Sequence, residues 1–294
     1  MFALVEALRP KQWTKNLLVF AGILFSQQAS NPALLLRATI GFFTFSLVAG
    51  TVYLLNDLRD LEADRLHPKK RKRPLASGRL PVAVARVALV PIVAVVAAAA
   101  WWLGREFVVV CGLYLAMNFA YSYWLKRQVL IDVFVIALGF VLRAIAGVEL
   151  LRPVSPDTAI SPWLLLCTFF GALFLGLGKR RREIENAGDS ASSQRSVLRQ
   201  YSVTSLDSLL VVTASSSLLS YALYTIWPAT VEKFGTENLI YTVPIVAYGI
   251  FRYLHLLHAS NETEDPSQVL LADRPLGATV VVYLVTVLLT LYLR

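Results

Sequence analysis

Nine apolar runs, at about residues 14–29, 34–55, 80–103, 106–124, 129–150, 160–178, 203–226, 238–258 and 276–293, divide this chain. A helix needs about 20 residues to cross the hydrocarbon core of a bilayer, and most of the runs reach that length. The first is the shortest. With 56% of its 294 residues hydrophobic, the chain leaves little room for a water-soluble reading. The expected fold is all-α: a polytopic membrane bundle of about nine transmembrane helices, built as a single integral-membrane domain over residues 1–294. The two cysteines, Cys111 and Cys167, both fall inside predicted spans, so neither a disulfide framework nor a cysteine-based metal site is available.

Charge orients the bundle. Of the 28 lysines and arginines, 20 lie before the first run or in alternate loops, five lie on the opposite side, and Arg86, Arg143 and Arg252 lie within spans. The positive-inside bias places the richer side in the cytoplasm. The expectation is a multi-pass plasma-membrane protein with its N-terminus inside and its C-terminus outside. No signal peptide is expected, because the first apolar run lacks a small-residue cleavage site. The net charge of +9 is confined to short loops against a membrane. It points to anionic lipid headgroups and phosphorylated substrates, not to nucleic acid. The sequence is compatible with an oligomer.

The second run ends in Asn56-Asp57-Leu58-Arg59-Asp60-Leu61-Glu62-Ala63-Asp64. At roughly 100° per helical residue, Tyr53, Asp57, Asp60 and Asp64 share an arc of about 60°, with Asn56 about 40° beyond its edge. Carboxylates one turn apart, about 6 Å, repel by roughly 3 kcal/mol at an effective dielectric near 20. Such a stripe calls for a cation. Either Arg59 and Arg65 neutralise it as a solvated helix end, or it holds a metal. Oxygen donors suit Mg²⁺, which bridges one or two carboxylates to substrate phosphates. The loop continues through Lys69-Lys70-Arg71-Lys72-Arg73. These five cations serve both as a topology signal and as phosphate ligands, with one or two expected to touch substrate.

Other charges stand where spans meet water. Lys15 follows Arg9-Pro10-Lys11-Gln12-Trp13; the Trp is either an interfacial anchor or the neighbour of a phosphate-seeking lysine. Lys126 and Arg127 follow the aromatic stretch Tyr121-Ser122-Tyr123-Trp124. Asp132 and Arg143, on one face of the fifth span, imply either a polar cavity or structural pairing between helices. The sixth span ends in Lys179-Arg180-Arg181-Arg182, and the acidic connector 261–276 is either a cap over the site or a plain link. His255 and His258 are expected to be interfacial.

The nine spans and Asn56-Asp57-x-x-Asp60-x-x-x-Asp64 together resemble the UbiA superfamily of intramembrane prenyltransferases over nearly the whole chain. Within it, Arg9-Pro-x-Gln12-Trp13-x-Lys15-Asn16 and Asp273-Arg274-Pro275-Leu276 look like the decaprenyl-phosphate phosphoribosyltransferase branch. Ordinary members carry a second Asp-x-x-x-Asp between the sixth and seventh helices, where this chain has Lys179-Arg180-Arg181-Arg182-Glu183. The resemblance implies Mg²⁺-dependent transfer of 5-phosphoribose from phosphoribosyl diphosphate to a polyprenyl phosphate in the bilayer, releasing diphosphate, for cell-wall arabinan precursors. It implies Asn56 and Asp60 first as metal ligands, with Asp57 and Asp64 as further ligands or as side chains that support the ligands, the three aspartates being catalytic. Tyr53, Lys15, Lys70, Arg73, Lys126, Arg127, Arg143, Lys179, Arg180 and Arg182 are then the candidates for phosphates of donor and acceptor. Two other readings are an aromatic prenyltransferase using a prenyl diphosphate, and a transporter lined by Asp132 and Arg143. The transporter reading lacks the paired broken helices expected of inverted repeats.

Overall fold

A computed structural model describes residues 2–26, 28, 30–68, 70–187, 196–259, 269 and 272–292, and all regular structure among them is helical. The long helices are α1 (Pro32–Arg59), α2 (Val82–Leu103), α3 (Arg105–Tyr123), α4 (Ile131–Glu149), α5 (Pro162–Ala187), α6 (Val203–Ile226), α7 (Val243–Ala259, preceded by a 3₁₀ turn Asn238–Thr242) and α8 (Arg274–Tyr292). Eight helices among the described residues are long and apolar enough to cross a membrane, and the protein is a multi-pass membrane protein. Helices suit this environment because each backbone hydrogen bond closes within its own segment.

The expected first span takes another form. Residues 10–20 are a 3₁₀ helix and Ala21–Phe25 a single α-turn. Close backbone contact accompanies it: a Cβ on Gly22 would lie 2.0 Å from the Gly147 carbonyl oxygen, and one on Gly147 would lie 2.2 Å from that of Val19. Only glycine pairs allow two backbones so near.

Contacts divide the chain into two compact units, residues 1–123 with 142–160, and residues 124–141 with 161–294. In the first, Val19, Phe45, Leu103, Phe107, Leu150 and their neighbours form the core. Asn31 opens α1 by accepting from the Ala33 and Leu34 amides at 3.0 and 3.4 Å, with Pro32 at the first helical position. Arg37 is buried: it donates to the Leu150 carbonyl at 2.8 Å and to that of Leu103, and lies over the Trp102 ring. One side chain thus satisfies carbonyls at the ends of α2 and α4, which their own helices leave without donors. In the second unit, Val133, Leu173, Phe174, Leu206, Leu210 and Tyr253 form a separate core.

Candidate active site

Helix α1 stops at Arg59, and a short helix, Leu61–Leu66, starts beyond Asp60, whose backbone (φ −90°, ψ 14°) interrupts the helical path. The Asp60 and Asp64 amides still bond the carbonyls four residues back, at 2.9 and 2.8 Å. The bend separates the acidic stripe into two environments. Asp57 and Asp64 are buried, 2% and 3% exposed. Arg73 joins them, one Nη1 donating to Asp64 Oδ2 at 2.6 Å and to Asp57 Oδ1 at 3.1 Å. Arg9 donates to that same Asp57 oxygen at 2.5 Å and lies over the Tyr53 ring. Lys70 Nζ stands 4.0 Å from Asp64 Oδ1. Asp60 is held apart, chelated by Arg59 through bonds of 2.8 and 3.0 Å, with Arg59 over the Tyr123 ring.

The same unit contains a buried polar chain. Arg143 donates to Asn16 Oδ1 at 2.7 Å and to the Tyr114 hydroxyl at 2.9 Å, and Asn16 donates to Ser46 at 2.9 Å. Arg143 also packs on the Phe45 and Tyr114 rings.

The second unit holds the arginine run. Arg180 donates to Asp132 Oδ2 at 2.8 Å and pairs with Glu183. Tyr201 donates to the other Asp132 oxygen at 2.6 Å and accepts from the Leu130 amide at 2.7 Å. Burial first, and then the bond to the Asp132 carboxylate, raise the Tyr201 phenol well above its ordinary pKa, so it remains a donor. Arg181 pairs with Asp207 at 2.5 Å and Glu185 at 2.8 Å, and reaches the Leu257 carbonyl. Arg182 donates to the Leu256 carbonyl, while its Nε and Nη1 have no hydrogen-bond partner among the described residues.

The UbiA prenyltransferase family model matches residues 16–272. The chain belongs to that family. A Mycobacterium tuberculosis protein named decaprenyl-phosphate phosphoribosyltransferase is 34% identical over 289 residues, covering 96% of this chain and 92% of its own. A Corynebacterium glutamicum protein of the same name is 33% identical over 300 residues, covering 99% and 87%. A UbiA homologue from Archaeoglobus fulgidus, solved with dimethylallyl diphosphate and Mg²⁺, superposes with a TM-score of 0.71 at 18% identity over 99% of both chains, and so shares the fold. This UbiA protein is therefore a membrane-embedded transferase.

Against that background the predicted residues separate. In the first unit Tyr53, Asp57, Asp64, Lys70 and Arg73 form one corner with Arg9, which is not among the residues expected to bind metal or phosphate. Asp60, at the same bend, faces Arg59. Lys15 is half-buried on the 3₁₀ segment, and Asn56 is half-buried one residue before Asp57. In the second unit Lys126 and Arg127 form a 3₁₀ turn, and Lys179 is half-buried on α5. Asp132 and Arg143 each pair within their own unit, the first with Arg180 and Tyr201, the second with Asn16 and Tyr114, as the structural-pairing alternative expects. Lys69 and most of the connector 261–276 lie outside the described residues. His258 stands 3.4 Å from Asp207.

The UbiA corner fits a hard divalent ion. No three His, Cys, Asp or Glu side chains converge among the described residues. Two do, Asp57 and Asp64, close enough for one guanidinium nitrogen to bridge them. That nitrogen marks a position where two buried carboxylates already hold a cation. Mg²⁺ takes one or two carboxylates and completes its shell with water and phosphate oxygens. The sequence signal for Arg9 was its place beside Pro10 in a basic stretch facing the membrane, but no local pattern links it to Asp57, 48 residues away.

Proposed function

We propose that this UbiA transferase moves 5-phosphoribose from phosphoribosyl diphosphate to a polyprenyl phosphate. The C1–O bond to diphosphate breaks, a C1–O bond to the lipid phosphate forms, and diphosphate leaves. The observation that carries this reading is the convergence of Asp57 and Asp64 on one cation position, flanked by Arg9, Arg73 and Lys70, in a chain about one third identical to proteins named for this reaction. A bound Mg²⁺ would neutralise charge developing on the departing diphosphate.

The chain's own groups do the rest. Asp57 and Asp64, with Asn56 and Asp60 beside them, would hold the metal. Arg73 and Lys70, at the mouth of the corner, would take phosphate oxygens, the guanidinium in a two-pronged contact. Lys15, Tyr53, Lys126, Arg127 and Lys179 are the further candidates for the 5-phosphate and the lipid phosphate. The attacking oxygen belongs to an anion already, so no side chain need remove a proton. Electrostatic stabilisation of the leaving group and of an oxocarbenium-like sugar suffices.

Topology supports the donor. With 20 cations on one side and five on the other, the acidic corner would face the cytoplasm, where a soluble phosphorylated sugar is available. The product would be a lipid-linked pentose phosphate, a precursor for cell-wall arabinan. The test is incubation of purified protein with Mg²⁺, labelled phosphoribosyl diphosphate and polyprenyl phosphate. Label should enter the lipid phase, and EDTA should stop it. Prenylation of an aromatic acid without any use of phosphoribosyl diphosphate would overturn the reading.

A further inference from the structure

Arg9 occupies an unusual position. Its backbone lies in the left-handed region (φ 55°, ψ 63°) immediately before Pro10, a place where a following proline favours extended conformations. Non-glycine residues persist in such a conformation when their surroundings impose it. Here the Arg9 amide bonds the Glu6 carbonyl at 3.0 Å, the Gln12 amide bonds the Arg9 carbonyl at 2.8 Å, and Trp13 Nε1 donates to the Leu8 carbonyl at 3.2 Å. The turn aims the guanidinium at Asp57 Oδ1, the same oxygen that Arg73 contacts, with the Tyr53 ring as its platform.

Among the described residues Arg9, Arg73 and Lys70 pair with Asp57 and Asp64, and Asp60 pairs with Arg59. The corner is positive before any metal arrives, and a bare divalent cation would enter against that charge. A cation arriving with a diphosphate would not, because the polyanion compensates the guanidiniums as they leave the carboxylates. Arg9 can leave: its side chain is 26% exposed, against 3% for Asp57.

We propose that Arg9 is a place-holding cation, which with Arg73 neutralises the buried Asp57–Asp64 pair until a metal-bearing diphosphate displaces it, then turns its N–H groups to that diphosphate. The site thereby admits the divalent cation with its polyanion and disfavours the free ion. This rests on the reading that the acidic corner holds the metal and diphosphate of the donor, and it does not depend on the sugar.

Two measurements on detergent-purified full-length protein test it: binding of Mn²⁺ alone by electron paramagnetic resonance, and binding of radiolabelled inorganic diphosphate at saturating Mn²⁺. In the wild type, Mn²⁺ alone should bind at least tenfold more weakly than it does with diphosphate present. Arg9→Gln should tighten binding of Mn²⁺ alone at least tenfold and weaken diphosphate at least tenfold. Arg9→Lys, which keeps the charge and loses the planar fork, should leave Mn²⁺ alone within about threefold of wild type and still weaken diphosphate. Unchanged or weaker Mn²⁺ binding in Arg9→Gln overturns the proposal. So does a wild type that binds Mn²⁺ equally well with and without diphosphate, a result that needs no variant to fold. Mn²⁺ binding untouched by Asp57→Asn overturns both the proposal and the metal reading beneath it. Normal diphosphate behaviour in a protein that ignores phosphoribosyl diphosphate leaves Arg9 in place and removes only the sugar donor.

Discussion

Both units of the molecule bury aspartate beside arginine, and the two arrangements differ in what surrounds the cation. At the first corner the carboxylates are buried and the arginines are not: Arg9 and Arg73 are 26% and 31% exposed against 3% for Asp57. In the second unit both partners are buried, Arg180 at 2% and Asp132 at 0%. A half-exposed guanidinium that loses its carboxylate returns to water at little cost. A buried one cannot, and breaking such a pair is strongly unfavourable because the remaining charge stays desolvated. The first corner is thus built for exchange of cations, the second for permanence, although the sequence offers a charged cluster in each place.

The largest expected effect is catalytic. Asp57→Asn should lower turnover at least a thousandfold, about 4 kcal/mol in the barrier, through loss of metal-assisted stabilisation of the leaving group. Its melting temperature should stay close to wild type, since Arg9 and Arg73 rehydrate. Activity across a Mg²⁺ titration with thermal unfolding alongside checks this. Asp64→Asn should behave alike, and Asp60→Asn should lose activity less steeply, because Asp60 is turned to Arg59. A collapse of melting temperature in Asp57→Asn, with the residual fold active, would erase the contrast between the units.

The same substitution in the second unit should act on stability. Asp132→Asn leaves Arg180 buried with Glu183 but without its fully buried carboxylate partner, and should cost about 3 kcal/mol of stability. The joint change Asp132→Leu with Arg180→Met should recover much of that loss, because the fully buried position then carries no charge and the carboxylate left behind, Glu183, is 12% exposed. Thermal unfolding of the single and double variants is the measurement. A double variant as unstable as the single would locate the cost elsewhere, for example in the Tyr201 hydroxyl and the Leu130 amide it anchors.

The contrast itself was only partly legible in the sequence. Spans were readable because lipid imposes a length and an apolar composition on each helix. The motif Asn56 to Asp64 was readable because four oxygen-bearing side chains recur at helical spacing. Arg9, Asn16 and Tyr201 were not, since their partners Asp57, Arg143 and Asp132 lie 48, 127 and 69 residues away, and no local pattern encodes such a pair. The 3₁₀ form of residues 10–20 was hidden for a similar reason, because it accompanies an approach to Gly147 that depends on the folded chain. The bend at Asp60 escaped as well: an ideal helix places Asp60 with Asp57 and Asp64, and the real one gives it to Arg59.

Neighbouring arginines of the run on α5 differ in the same way. Arg181 has two carboxylates and a carbonyl, whereas Arg182 has the Leu256 carbonyl and two nitrogens with no hydrogen-bond partner among the described residues. A buried donor without an acceptor is costly, and a phosphate oxygen would relieve it. Arg182→Ala should raise the KM for one phosphorylated substrate about tenfold, roughly 1.4 kcal/mol of binding, and Arg181→Ala should change KM less than about twofold. Steady-state kinetics with each substrate varied in turn decides between them. Equal KM values for both variants and wild type would make the whole run structural.

The smallest effect separates a surface pair from both buried ones. Asp273 accepts from Arg252 at 2.7 and 3.2 Å and from the Leu276 amide at 2.8 Å, capping the first turn of α8. The Arg252 guanidinium holds the Asp273 carboxyl below the ordinary aspartate pKa. A depressed pKa in the fold means that the stabilisation is complete above the unfolded value, near pH 4, and is lost as pH falls through the folded one. Asp273→Asn keeps a side-chain oxygen for the Leu276 amide and removes the charge, so it isolates the ionic part. That part should be small, as expected of an ion pair near solvent. The wild type should melt slightly above Asp273→Asn at pH 7, and the two curves should converge as pH falls below about 4. A gap that stays constant with pH would show that the cap, not the charge on Asp273, carries the difference.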